Sequence, residues 1–163
     1  MRLRGLTMPK AKFSIAHNDD EMLALVQDTD QKTLAVWAID CAERVLSYFE
    51  QQFPADQRPR QALQALQAWI DTGVFTMAAI RKASLDAHAA ARDVGADTPA
   101  RSAARAASQA VATAHVPCHA YGPAVYAQQA IYRAAEPAEA DAAVARERDW
   151  QYHHLLQLRE SKP

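Results

Sequence analysis

Glycine, cysteine and long apolar runs are scarce in this chain, and each scarcity removes a class of protein. Four glycines in 163 residues leave no glycine-rich loop to cradle a phosphate or a dinucleotide. The two cysteines, Cys41 and Cys118, have neither disulfide nor zinc spacing, which points to a reduced, cytoplasmic chain. No run of about 18 apolar residues occurs, so no membrane span is expected. Arg2 and Arg4 precede no apolar stretch of a secretory signal, and Met8 is a second candidate start. Net charge is −1, from 18 basic and 19 acidic residues, so the basic excess of a nucleic-acid or membrane-surface binder is missing. No motif calls for a cofactor.

What remains is alanine and helical periodicity. Alanine has the best intrinsic helix propensity, and no period-two strand pattern occurs. Asn18 is placed to cap a short helix through Gln27, and Asp30 to cap a second. There Leu34, Trp37, Ala38, Cys41, Val45, Tyr48 and Phe49 recur at amphipathic spacing as far as Phe53-Pro54. A third helix opens at Asp56-Gln57-Arg58-Pro59, carries Leu63, Leu66, Trp69 and Ile70, and ends at Gly73. Thr76 opens a fourth, with Ile80, Ala83, Ala87 and Ala91 on one face, closed by Gly95. Asp97 or Thr98 with Pro99 opens a fifth that runs to His115. Pro117 to Ala135 gives a sixth, interrupted near Gly122-Pro123, and Pro137 opens the last. The expected fold is all-α, a single-domain bundle of about seven helices with alanine-rich central helices. The domain is expected to span residues 13–160, with 1–12 a flexible N-terminal segment. Small side chains on the fourth to sixth helices bring backbones close and leave little room for a cavity between them. Function is therefore expected on the surface or at helix ends.

Polar residues form three stripes. Arg101, Arg105, Ser108, Ala112 and His115 share one side of the fifth helix, and Arg81, Ser84, His88 and Arg92 one side of the fourth. The second helix offers Asp40 and Glu43. If these helices adjoin, Asp40 or Glu43 would meet His88, His115 and Arg60 or Arg92, with His119 nearby, around the break at Pro117. Such a cluster would be either a preorganised site or an internal ion network that fixes helix register. His115 and His119 stand four residues apart, as on zinc-binding helices, but Pro117 lies between them. A third ligand would have to come from His88, Cys118 or a carboxylate. Cys118 beside His119 lacks an orienting third group, so no catalytic residues are assigned. From residue 16 to residue 56, nine acidic residues face two basic ones. Asp19, Asp20, Glu21, Asp28 and Glu50 in that segment are a candidate docking face for a basic partner.

Several segments carry a resemblance together. They are Leu34-Ala35-Val36-Trp37-Ala38-Ile39-Asp40-Cys41-Ala42-Glu43-Arg44-Val45-Leu46 with Phe49-Glu50, and then Asp56, Arg58, Pro59 and Arg60 followed by Trp69. Next come Ala87-His88-Ala89-Ala90-Ala91-Arg92, Ala110-Val111-Ala112-Thr113-Ala114-His115-Val116 with His119, and Glu147-Arg148-Asp149-Trp150-Gln151. In this order, from Phe13 to Leu158, they resemble the Imm-five-like immunity proteins associated with bacterial polymorphic toxin systems. Ser108 departs from the glycine expected of that family; it would either widen a tight helix contact or add a hydroxyl to the polar stripe. The resemblance implies an all-helical protein that binds and neutralises a protein toxin without catalysis. The rival reading is a small metal- or ligand-binding helical domain using His88, His115 and His119.

Overall fold

Each helix starts or stops where local chemistry dictates. The computed structural model describes residues 10–14 and 19–162, so Met8 and Asn18 lie outside the described residues. Among those described, the chain forms seven α-helices and no strand. These are α1 (Asp20–Gln27), α2 (Gln31–Gln52), α3 (Arg58–Thr72), α4 (Met77–Asp93), α5 (Pro99–Ala112), α6 (Tyr121–Ala134) and α7 (Ala140–Glu160), with a 3-10 turn at Pro117–Ala120. Asp19 caps α1 by accepting from the Met22 N–H at 3.1 Å. Asp30 caps α2 through the Thr33 N–H, also at 3.1 Å. Gly73 closes α3 at φ 69°, a left-handed position that glycine occupies without a Cβ penalty.

Three boundaries differ from those expected. Helix α5 stops at Ala112 rather than His115. Pro117 disfavours helical geometry at the residue before it, and Val116 is extended at φ −133° and ψ 117°. The Gln31 side chain then ties off the loose end, donating to the carbonyls of Thr113 and Ala114 at 2.9 and 3.0 Å. Second, α6 runs through Gly122-Pro123 without a break. Pro123 falls in its first turn, where an N–H would have had no intrahelical acceptor. Third, α7 begins at Ala140, after a turn over Pro137, Ala138 and Glu139.

Helix α5 is the centre of the bundle and packs against α2, α3, α4 and α6. Ala100, Ala103, Ala104, Ala106, Ala107 and Ala110 are all buried, which is why a central helix needs small side chains. The bulk comes from its neighbours. Trp37 and Phe49 of α2 are fully buried, and burying each aromatic contributes about 1.5–3 kcal/mol. Helix α7 closes the bundle against α6 and α2 through a polar seam. Gln151 accepts at Oε1 from Gln128 at 2.9 Å and donates to the Ala124 carbonyl at 3.0 Å. The Trp37 indole donates to the Gln151 carbonyl at 2.9 Å. Lys10 to Phe13 lie on α6: the Tyr132 hydroxyl donates to the Ala11 carbonyl, and Phe13 packs on the Tyr132 ring at 5.5 Å.

Candidate functional site

The polar residues divide into those satisfied inside the molecule and those that are not. Asp40 accepts from His154 Nε2 at 2.7 Å, and Trp150 stacks on His154. Glu43 and Glu50 both pair with Arg60, the latter at 2.8 Å. Glu147, with only 2% of its side chain exposed, takes a two-pronged bond from Arg44 at 2.9–3.0 Å. Arg58 bridges Asp56 at 2.6 Å and Asp93 at 2.7 Å, and its guanidinium holds the Asp56 carboxyl below the usual range.

The structure separates Asp40 and Glu43 from His88 and His115, which the sequence stripes left free to meet. The reason is α5, which lies between α2 and α4 and turns the carboxylates toward α7 and α3. Arg60 goes with the carboxylates. The acidic segment is likewise occupied. Asp19 and Glu21 receive Arg148 at 2.8 and 2.9 Å, and Asp28 receives Arg159 at 2.7 Å. Of the five residues marked as a docking face, Asp20 alone makes no ion pair with another described residue. Arginines of α3 and α7 thus pair with four of those five carboxylates, while Glu21 and Asp28 keep 62% and 79% of their side chains exposed.

His88, His115 and His119 do come together. They line a groove of about 490 Å³ with Met77, Ile80, Arg81, Ser84 and Leu85 of α4 and Gln109 and Ala112 of α5. Small side chains draw α4 and α5 close at Ser84 and Ser108, as expected. Beyond that clasp, a cavity does open between them. Ala112, with its small side chain, lines it together with Met77, Leu85, His115 and His119. His119 Nδ1 lies 3.1 Å from Gln109 Oε1, and His115 stacks on Phe75 at 6.1 Å. His88 is half-buried. Burial, and then the nearby Arg105 and Arg92, lower its pKa and favour the neutral ring.

No metal set forms here. Among the described residues, no group of three or more histidine, cysteine or carboxylate side chains is placed to hold a metal ion. The extended Val116 and the 3-10 turn break the helical register that His115 and His119 would need. Cys118 is exposed and Cys41 is buried, with burial pushing the Cys41 thiol well up.

One feature of the site has no counterpart in the sequence stripes. The large apolar side chains left exposed among the described residues are Val74 (70%), Phe75 (42%), Met77 (44%) and Leu85 (54%). All four fall in the α3–α4 connection and on α4, at or beside the groove. A signal was available: Val74, Phe75 and Met77 follow a helix-ending glycine, and Leu85 lies off the Ile80–Ala83–Ala87–Ala91 stripe. Each was an apolar residue with no core position to fill.

The described residues thus form an all-α bundle of seven helices with one exposed apolar surface beside a groove. A search of curated proteins found no match, and neither did a search of solved structures. The family model described as Imm-5 like putative immunity protein matches residues 24–158, and the chain belongs to that family.

Proposed function

We propose that this chain is an immunity protein that neutralises a toxin domain by binding it and covering the surface with which it acts, turning nothing over. Family membership supports the immunity role. The observation that carries the binding role is the gathering of Val74, Phe75, Met77 and Leu85 at one place on an otherwise well-buried protein. Contiguous exposed apolar side chains mark interaction surfaces in proteins of this size. The chemistry around the groove agrees. The Ser84 hydroxyl is committed to Ser108, His119 is engaged by Gln109, and neither makes the nucleophile–base–orienter chain of nucleophilic catalysis. Among the described residues, no helix is long and apolar enough to cross a membrane.

A second reading is favoured by the volume of the groove, which falls in the range of small-molecule sites. On that view His88, His115 and His119 would hold a small polar ligand. Val74, on the surface outside the groove, favours a protein partner. The test is co-expression with the toxin domain encoded nearest this gene. Protection of the cells, with a complex recovered from the purified proteins, is expected. Loss of viability together with no detectable complex overturns the immunity role.

A further inference from the structure

The apolar surface extends beyond the groove. A second hollow of about 300 Å³, lined by Ala65, Ala68 and Trp69 of α3, by Val74 and Thr76, and by Ala79 and Ile80 of α4, lies on the other side of Ile80. Ile80 lines both hollows, so they are two halves of one apolar face straddling the first turns of α4. No aspartate or glutamate lines either of them.

Arginines gather around the groove half of that face. Arg81 lines the groove, and Arg92 and Arg105 lie close enough to His88 to disfavour its protonation. Arg81, Arg92 and Arg105 make no ion pair with another described residue, whereas Arg44, Arg58, Arg60, Arg101, Arg133, Arg148 and Arg159 all do. Asp86 is engaged by Lys82, Asp93 by Arg58, and Asp97 by Arg101 and Arg133, whereas Asp71, beside Thr72 of the second hollow, makes no ion pair with another described residue and takes only the Gln67 amide at 2.9 Å. A pair of apolar hollows beside three uncommitted guanidinium groups has a definite complement. Guanidinium groups bind carboxylates in forked geometry, and opposite charge across an interface speeds encounter and fixes register.

We infer that this face docks an acidic, apolar segment of the toxin, its apolar side chains entering the hollows on either side of Ile80 and its carboxylates meeting Arg81, Arg92 and Arg105. The inference rests on the reading of the chain as a toxin binder, and it reverses the sign of the contact suggested by the acidic N-terminal segment. The toxin is held by a negatively charged patch of its own, not by a basic one.

The test uses the full chain and a phage-displayed library of random peptides, with selected peptides then synthesised with a fluorescent label. Selection against the wild-type chain is expected to enrich peptides with net negative charge and at least two large apolar residues. Their affinity should fall about tenfold or more in the Arg81→Glu/Arg105→Glu chain, and about as much in Leu85→Asp. Exchanging the peptide's carboxylates for lysine should restore binding to the charge-reversed chain, which a merely misfolded variant would not allow. Arg146→Glu, on α7 and also without an ion pair, should leave affinity within about twofold. Enrichment of neutral or basic peptides, no enrichment at all, or indifference to the groove substitutions overturns the inference.

The same variants separate the two proposals in cells. If the wild-type chain protects against the toxin and Arg81→Glu/Arg105→Glu protects equally, the docking face is wrong and the immunity role stands. If acidic apolar peptides bind the groove but the toxin binds nowhere, the immunity role is wrong and the chemistry of the face stands.

Discussion

Ser84 and Ser108 exchange hydrogen bonds across the α4–α5 contact, each hydroxyl donating to the other's backbone carbonyl, at 3.1 Å from Ser84 and 2.9 Å from Ser108. This clasp sits at the head of the groove and sets how closely the two helices approach. It also answers what a serine does where glycine is expected: it contributes a hydroxyl that both helices use. Ser108→Ala removes one buried hydrogen bond and should lower stability by about 1 kcal/mol. Ser108→Gly loses the same bond and adds the backbone entropy of a mid-helix glycine, for about 2 kcal/mol in all. Urea denaturation of the three proteins checks the order. Equal stability of wild type and Ser108→Gly would show that the clasp contributes nothing.

Helix ends were legible in the sequence wherever a single residue decides them. Asp30, Gly73, Thr98 with Pro99, and Gly95 all act through their own side chain or backbone, so no tertiary knowledge was needed. One boundary was missed where two residues act together. The end of α5 depends on Pro117 straightening Val116 and on Gln31 reaching across from α2, and only the first is local. His88 was legible as part of a stripe because helical spacing fixes a face, whereas His115 and His119 reach the groove from the turn after α5 and the 3-10 segment. The supposed partners of these histidines were not legible, because spacing does not say which helix a face meets. Arg148 finds Asp19, and Arg44 finds Glu147, across more than 100 residues of chain.

The Arg44–Glu147 pair carries a prediction of its own. Glu147 is buried, whereas 39% of the Arg44 side chain is exposed and stacks over the Trp150 ring with its Cζ 3.8 Å from the centroid. Arg44→Met would leave a carboxylate in the interior with only the Gln151 amide at 3.4 Å to answer it. Removing one member of a buried pair costs about 3–5 kcal/mol, and the partial exposure of Arg44 brings the expected loss to about 2–4 kcal/mol. Adding Glu147→Leu removes the stranded charge and should recover most of that loss. A double-mutant cycle by urea denaturation measures it. A double variant no more stable than Arg44→Met would argue against a stranded charge.

Acid should loosen the groove before it unfolds the bundle. The pKa of His88 is lowered below its ordinary value of 6.5 by burial and then by Arg105 and Arg92, so the unfolded chain takes up the proton more readily than the folded one. The stability associated with neutral His88 is therefore whole above pH 6.5 and is lost as pH falls from there through the folded value. Asp19 and Asp56, whose folded pKa values are lowered by Arg148 and Arg58, lose their contribution as pH falls through their ordinary value of 3.8 and below, so the loss at His88 begins at higher pH. Denaturation midpoints at about pH 7.5 and about pH 5 should differ more in the wild type than in His88→Gln. An identical drop in both proteins would remove His88 as the cause.

Gly122 lets α6 approach the groove helix, and filling its space should reach the site. A Cβ built there would stand 2.8 Å from the Cβ and 3.0 Å from the Cγ of Gln109. The first of these is next to the α5 backbone, so the contact cannot be relieved by swinging the far end of a side chain. Helix propensity alone would favour alanine at this position by about 1 kcal/mol. Overpacking typically costs about 1–3 kcal/mol, so Gly122→Ala is expected to be neutral to destabilising by about 2 kcal/mol, with the clash outweighing the gain in propensity. Displacing Gln109 also moves the acceptor beside His119 Nδ1, and with it one wall of the groove. The check is the His119 ring resonance in NMR spectra together with the denaturation midpoint. A shifted His119 signal, with affinity for groove-selected peptides reduced by severalfold, is expected; a more stable protein with an unmoved His119 would show that α6 has room to spare at Gln109.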